Sequence, residues 1–127
     1  MSNLILVRHG KSEWNMDGLW SGLHDTPLHA DGITDAKNMA KHIKGLSIDK
    51  IYTSKLIRAI DTEKIISKEL NINPPVIENE ALNERDYGIY TGKNKWEVKK
   101  EVGDEKFRKI RRGWNYPIPN GETLEDV

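Results

Sequence analysis

Residues 4–10 read Leu4-Ile5-Leu6-Val7-Arg8-His9-Gly10, four consecutive apolar side chains halted by a cation, an imidazole and a glycine. An unbroken apolar run of this length suits a strand buried on both faces, the habit of parallel sheets covered by helices. Lys11 to Asp31 is then polar, with glycines at 10, 18, 22 and 32 around it and Pro27 within it, and reads as a long structured loop. Ordinary connections do not need that length, and long loops in small domains usually carry function. Ile33, Ala36, Met39, Ala40 and Ile43 recur at helical spacing and Gly45 offers a C-terminal stop, which predicts an amphipathic helix. Ile51-Tyr52 predicts a second strand ending at Thr53-Ser54. Leu56, Ala59, Ile60, Ile66 and Leu70 then form one helical stripe, about 120° wide at about 100° per residue. Asn73-Pro74-Pro75 breaks that pattern, Val76-Ile77 predicts a third strand, and Asn83 to Gly92 returns to polar loop. Lys95 to Arg112 is charged but spaces Trp96, Val98, Val102, Phe107 and Ile110 as one or two surface helices, interrupted at Gly103. Strands alternating with helices predict an α/β fold, with an open, mainly parallel sheet, right-handed crossovers and helices on both faces. Thr123-Leu124-Glu125-Asp126 has the layout of a capping box with Asp in the acid position, announcing a helix; the alternative is an unstructured tail.

Composition bounds the function. The chain has 127 residues, enough for one domain and one modest core, and no internal repeat divides it. Twenty Lys and Arg balance twenty Asp and Glu, so the whole molecule has no electrostatic reason to seek nucleic acid or an anionic membrane. The longest apolar stretch, Leu4 to Val7, is far too short to span a bilayer. With no cysteine, disulfides, thiolate nucleophiles and thiolate metal sites are excluded. No basic-then-apolar leader is present, and the expected compartment is the cytoplasm.

In open parallel α/β sheets, ligands sit beyond the carboxyl ends of the strands. The residues arriving there are Arg8-His9-Gly10, then Thr53-Ser54 with Arg58 one turn into the next helix, then Asn83-Glu84-Arg85. Arg8 and Arg58 suit bidentate binding of a phosphoryl group, a neutral His9 suits nucleophilic attack on it, and Glu84 suits proton transfer to the substrate oxygen. Taken singly, each of these residues reads more readily as a solvated charge or a local hydrogen bond than as a catalytic group. Their joint arrival at one rim favours chemistry. His24, His29 and His42 lack such company, and no histidine and carboxylate pair has ligand spacing, so no metal is expected. Trp14, Trp20, Trp96 and Trp114 read as packing residues, since no continuous basic stretch accompanies them.

Leu6-Val7-Arg8-His9-Gly10, followed by Ser12, Trp14 and Asn15, resembles the histidine phosphatase superfamily, specifically its 2,3-bisphosphoglycerate-dependent phosphoglycerate mutases. The likeness continues through Ser21-Gly22, Thr26-Pro27-Leu28, Tyr52-Thr53-Ser54, Arg58-Ala59, Thr62, Leu82-Asn83-Glu84-Arg85, Tyr87-Gly88, Asn94-Lys95 and Arg111-Arg112. It implies that His9 accepts a phosphoryl group, that Arg8 and Arg58 clamp it, and that Asn15, Ser21 and the Gly22 backbone add hydrogen bonds. Glu84 would move the proton, and Tyr87, Lys95, Arg111 and Arg112 would contact small phosphorylated three-carbon acids. The implied reaction interconverts 3-phosphoglycerate and 2-phosphoglycerate, primed by 2,3-bisphosphoglycerate, with no metal. Two alternatives are a histidine phosphatase with water as acceptor, and a catalytically impaired fragment that only binds phosphate ligands. Asp86 departs from the family, where a histidine is common.

Family members continue to a further helix and strand and to a second histidine, in a His-Gly context, that completes the phosphate pocket. The resemblance therefore implies that residues 1–127 are the N-terminal portion of a single phosphoglycerate mutase-like catalytic domain, truncated before its C-terminal strand and helix. The missing strand would lie beside Leu4 to Val7, so exposed edges and association into a homo-oligomer are expected.

Overall fold

The computed structural model describes residues 1–127. Its longer helices are those whose apolar periodicity is clearest. Helix α1 is a short turn, Glu13–Met16; α2 spans Ala30–Ile43; strand β1 is Ile51–Thr53; α3 spans Ile57–Leu70; strand β2 is Val76–Glu78. Short 3-10 turns at Glu80–Leu82 and Gly88–Tyr90 lead to α4, Lys95–Val102, and α5, Asp104–Arg112. The two strands pair in parallel, Ile51 opposite Val76 and Thr53 opposite Glu78, with α3 as the crossover. This is the expected α/β unit.

Ala36 and Ala40 of α2 meet Ile66 of α3, with Met39, Ile43, Ile65 and Leu70 packed around them. Small residues let the helix axes approach, and the surrounding aliphatics seal the contact. A second cluster gathers Trp20, Tyr90, Val98, Phe107, Ile110 and Ile118. Here Asn94 caps α4 by accepting from the Trp96 and Glu97 amides, and Gly103 takes φ +82°, allowing a sharp break before α5.

Three expectations are corrected. Leu4 to Val7 pairs with neither β1 nor β2 and forms no strand; Leu4 and Leu6 are 83% and 84% exposed. The physical reason is that a strand needs a neighbour for its amides and carbonyls, and none stands beside this run. The Lys11 to Asp31 segment holds a helical turn, α1, whose capping box uses Ser12 and Asn15. At the other end the Thr123 capping box forms, with the Asp126 amide donating to Thr123 Oγ1 at 3.1 Å and the Thr123 amide to Asp126 Oδ2 at 2.8 Å. Residues 124–126 form a turn there and no helix. A cap lowers the cost of starting a helix but does not supply the residues that propagate it.

The loop from Lys11 onward is pinned. Glu13 donates its amide to the Pro27 carbonyl (3.0 Å), Trp20 to Lys93 (3.1 Å), and Gly92 and Lys95 return amides to Trp20 and Gly18 (2.8 and 3.0 Å). Gly10 and Gly32 sit back to back: a Cβ on Gly10 would overlap the Gly32 carbonyl, and one on Gly32 would overlap the Lys11 carbonyl. His9 is thereby held against the start of α2.

Candidate active site

A cavity of about 130 Å³ opens where these segments converge. Arg8 and His9 enter from the end of the apolar run, Asn15 from α1, and Ser21 and Gly22 from the pinned loop. Arg58 enters from the first turn of α3, Glu84 and Tyr87 from the segment after β2, Lys95 from the first residue of α4, and Arg111 from the last turn of α5. Trp20, buried to 2% exposure, packs as its sequence context predicts and in addition forms part of the cleft wall, a role no local pattern signals. Arg112 is not brought to the cleft. It lies on a neighbouring depression with Lys99, Asp104, Phe107 and Arg108, because consecutive helical residues point about 100° apart. Arg111 borders both.

His9 Nδ1 lies 2.7 Å from the Gly10 carbonyl, so in the neutral ring Nδ1–H donates and the lone pair resides on Nε2. Burial holds the His9 pKa below its ordinary value, Arg58 and Arg8 push the same way, and the Gly10 hydrogen bond and Glu84 oppose them. The lowered pKa favours the neutral ring, the form able to attack.

Arg58 is enclosed by the loop around it. Its Nη1 donates to the His24 carbonyl (3.0 Å) and its Nη2 to the Gly22 carbonyl (2.8 Å). Burial lowers its pKa, and Glu84 and Asp25 resist. On the next turn of α3, Thr62 donates to the Arg58 carbonyl (2.6 Å) and accepts from the Gly10 amide (3.0 Å). One side chain therefore ties the helix carrying Arg58 to the segment carrying His9.

The cations fall into two overlapping groups. Arg58 and Arg8 act on His9, whereas Lys95, lowered first by burial, is next disfavoured by Arg111; Arg8, which also disfavours Lys95, and Glu84 act on both His9 and Lys95. Ser21 Oγ is buried on the cleft wall without a hydrogen-bond partner. Such an orphan hydroxyl suits an acceptor oxygen of a ligand. Asp86 makes local bonds instead, accepting from the Gly88 amide (2.8 Å) while its own amide donates to Glu122 (2.9 Å). No three metal-binding side chains cluster, and no helix is long and apolar enough to cross a membrane.

One cleft at the rim of a parallel α/β unit thus gathers a histidine, two arginines and a carboxylate. The chain belongs to the histidine phosphatase superfamily (branch 1), whose pattern matches residues 4–127. It is 45% identical to a Bradyrhizobium sp. (strain ORS 278) protein named 2,3-bisphosphoglycerate-dependent phosphoglycerate mutase, and 43% identical to a protein of the same name from Bartonella quintana. Each likeness covers 98% of this chain, which spans 61% and 62% of those relatives' lengths. Among solved structures, the alpha-ribazole phosphatase of Shigella flexneri superposes with a TM-score of 0.75 at 31% identity, over 94% of this chain and 58% of that one. The mycobacterial glucosyl-3-phosphoglycerate phosphatase shares the fold, with a TM-score of 0.75 at 24% identity over 93% of this chain and 54% of that one.

Proposed function

We propose that this cleft serves a phosphoglycerate mutase, interconverting 3-phosphoglycerate and 2-phosphoglycerate through phospho-His9 after priming by 2,3-bisphosphoglycerate. The observation that carries the reading is the cationic lining of the cleft: Arg58 and Arg8 act on His9, Lys95 and Arg111 enter from α4 and α5, and Arg8 and Glu84 act on both His9 and Lys95. A phosphoglycerate has a phosphate at one end and a carboxylate at the other, and a cleft lined by cations complements both.

In the priming step, His9 Nε2 attacks phosphorus, the phosphorus–oxygen bond to the glycerate breaks, and Glu84 protonates the departing oxygen. Arg8 and Arg58 stabilise charge on the transferring group. Return of the phosphoryl group to the other hydroxyl reverses these events, with Glu84 accepting the proton. Asn15, Ser21 and the Gly22 backbone orient the phosphoryl oxygens, and Tyr87, Lys95 and Arg111 hold the glycerate. The cytoplasm and glycolysis are the setting this reading implies. The relatives that carry the mutase name support it.

Water as the final acceptor is the second reading, favoured by the phosphatase named among the structural relatives. Mass measurement of the intact chain after incubation with 2,3-bisphosphoglycerate tests the shared first step. One acid-labile phosphoryl group is expected on the parent and none on His9→Ala; labelling that survives in the variant would remove His9 as nucleophile. Product analysis with 3-phosphoglycerate then separates 2-phosphoglycerate formation from release of inorganic phosphate.

A further inference from the structure

Arg85 stands in the chain between two cleft residues, Glu84 and Tyr87, yet is not part of the cleft wall. It is 3% exposed. Its Nη2 donates to the Ile110 carbonyl at 2.8 Å and reaches the Arg111 carbonyl at 3.4 Å, and its guanidinium carbon lies 4.6 Å from the centre of the Tyr87 ring. No carboxylate pairs with it, and its Nε and Nη1 are buried without partners. Burying a guanidinium on such terms is unfavourable, and an apolar side chain would fill the same space at lower cost. The compensating role has to lie in what the group connects.

Of these partners, Arg111 and Tyr87 line the cleft, and Ile110 belongs to the aromatic cluster beneath α5. The last carbonyls of a helix have no intrahelical donor. In α5 the Gly113 amide takes the Lys109 carbonyl (2.8 Å), and Arg85 takes the next two. That contact fixes the rotation of the last turn, and the rotation decides whether Arg111 or Arg112 faces the cleft. The Tyr87 ring, against the same guanidinium, also lines the cleft.

We propose that Arg85 is a positioning residue, joining the terminal carbonyls of α5 to the Tyr87 ring and so setting how far Arg111 stands from Glu84 and Tyr87. The separation defines the length of anion that the cleft accepts. Resting on the mutase reading, the inference deepens it by assigning ligand-length selectivity to a buried residue that need not touch the ligand.

The test is equilibrium binding of 3-phosphoglycerate and of inorganic phosphate to the parent, Arg85→Met, Arg85→Lys, Arg111→Ala and the Arg85→Met/Arg111→Ala double variant. Arg85→Met should weaken 3-phosphoglycerate binding by about tenfold or more and leave phosphate binding within about twofold. In the Arg111→Ala background the same change should add little, since Arg85 acts through Arg111. Arg85→Lys, which keeps one donor but not the planar stack, should fall between, and it carries the comparison if the methionine variant does not fold. Equal losses for both ligands, or a full additional loss in the double variant, overturn the proposal. A parent that does not favour 3-phosphoglycerate over phosphate, or an Arg111→Ala chain with an unchanged preference, overturns the reading of the cleft itself.

Discussion

His9 shows how burial becomes a pH dependence. Its pKa is held below 6.5, first by burial and then by Arg58 and Arg8. The unfolded chain takes up the proton near the ordinary histidine value, whereas the folded chain resists until lower pH. Between those points the unfolded state binds more protons, so stability declines as pH falls from the ordinary value through the folded one. Urea unfolding at about pH 7 and about pH 5 should therefore show a larger acid loss for the parent than for His9→Gln. Identical acid sensitivity in the two would sink this account. The same residue is legible in the sequence because Arg8-His9-Gly10 abruptly ends an apolar run. Arg85 is legible only as another arginine at the rim; its burial depends on α5, which is distant in sequence.

At the scale of elements, Thr62 is the fastening between α3 and the His9 segment, and it should be replaceable only by a residue with a hydroxyl. Thr62→Val keeps the shape but leaves the Gly10 amide without its 3.0 Å acceptor. A loss of about 1–3 kcal/mol is expected in denaturant unfolding, with Thr62→Ser losing less. Valine and parent chains of equal stability would refute the fastening role. Periodicity locates α2 and α3 because their apolar stripes report burial directly. It cannot locate their caps. The start of α3 is capped from afar, the Ile57 amide donating to Asp25 at 2.7 Å, and α1 hides its box behind an Asn at the position where Glu or Gln is usual.

For the whole molecule, the cleft draws its walls from both apolar clusters, with Arg58 carried on the α2–α3 pair and Trp20 and Tyr87 on the aromatic one. Outside the cleft, Leu4 and Leu6 lie open, as do Tyr52, Val76 and Ile77 on the two-stranded sheet. Exposed apolar surface together with unpaired backbone favours association. Sedimentation velocity across a dilution series should show concentration-dependent self-association of the 127-residue chain, reduced when Leu4 and Leu6 are both replaced by lysine. A single monomeric boundary for the parent at every concentration would rule this out.

Short-range pattern was sufficient for the α/β order, the two long helices, the break at Gly103 and the residue types that arrive at the rim, because periodicity, capping and residue type act over a few neighbours along the chain. Long-range contact settled the rest. Whether Leu4 to Val7 becomes a strand depends on a partner strand, which no local pattern contains. That Arg111 faces the cleft and Arg112 does not depends on the rotation of α5, and the carbonyls that hold this rotation are met by Arg85 from a segment 25 residues away. Side-chain identity is a local property, while facing and burial are set by whatever packs against the side chain.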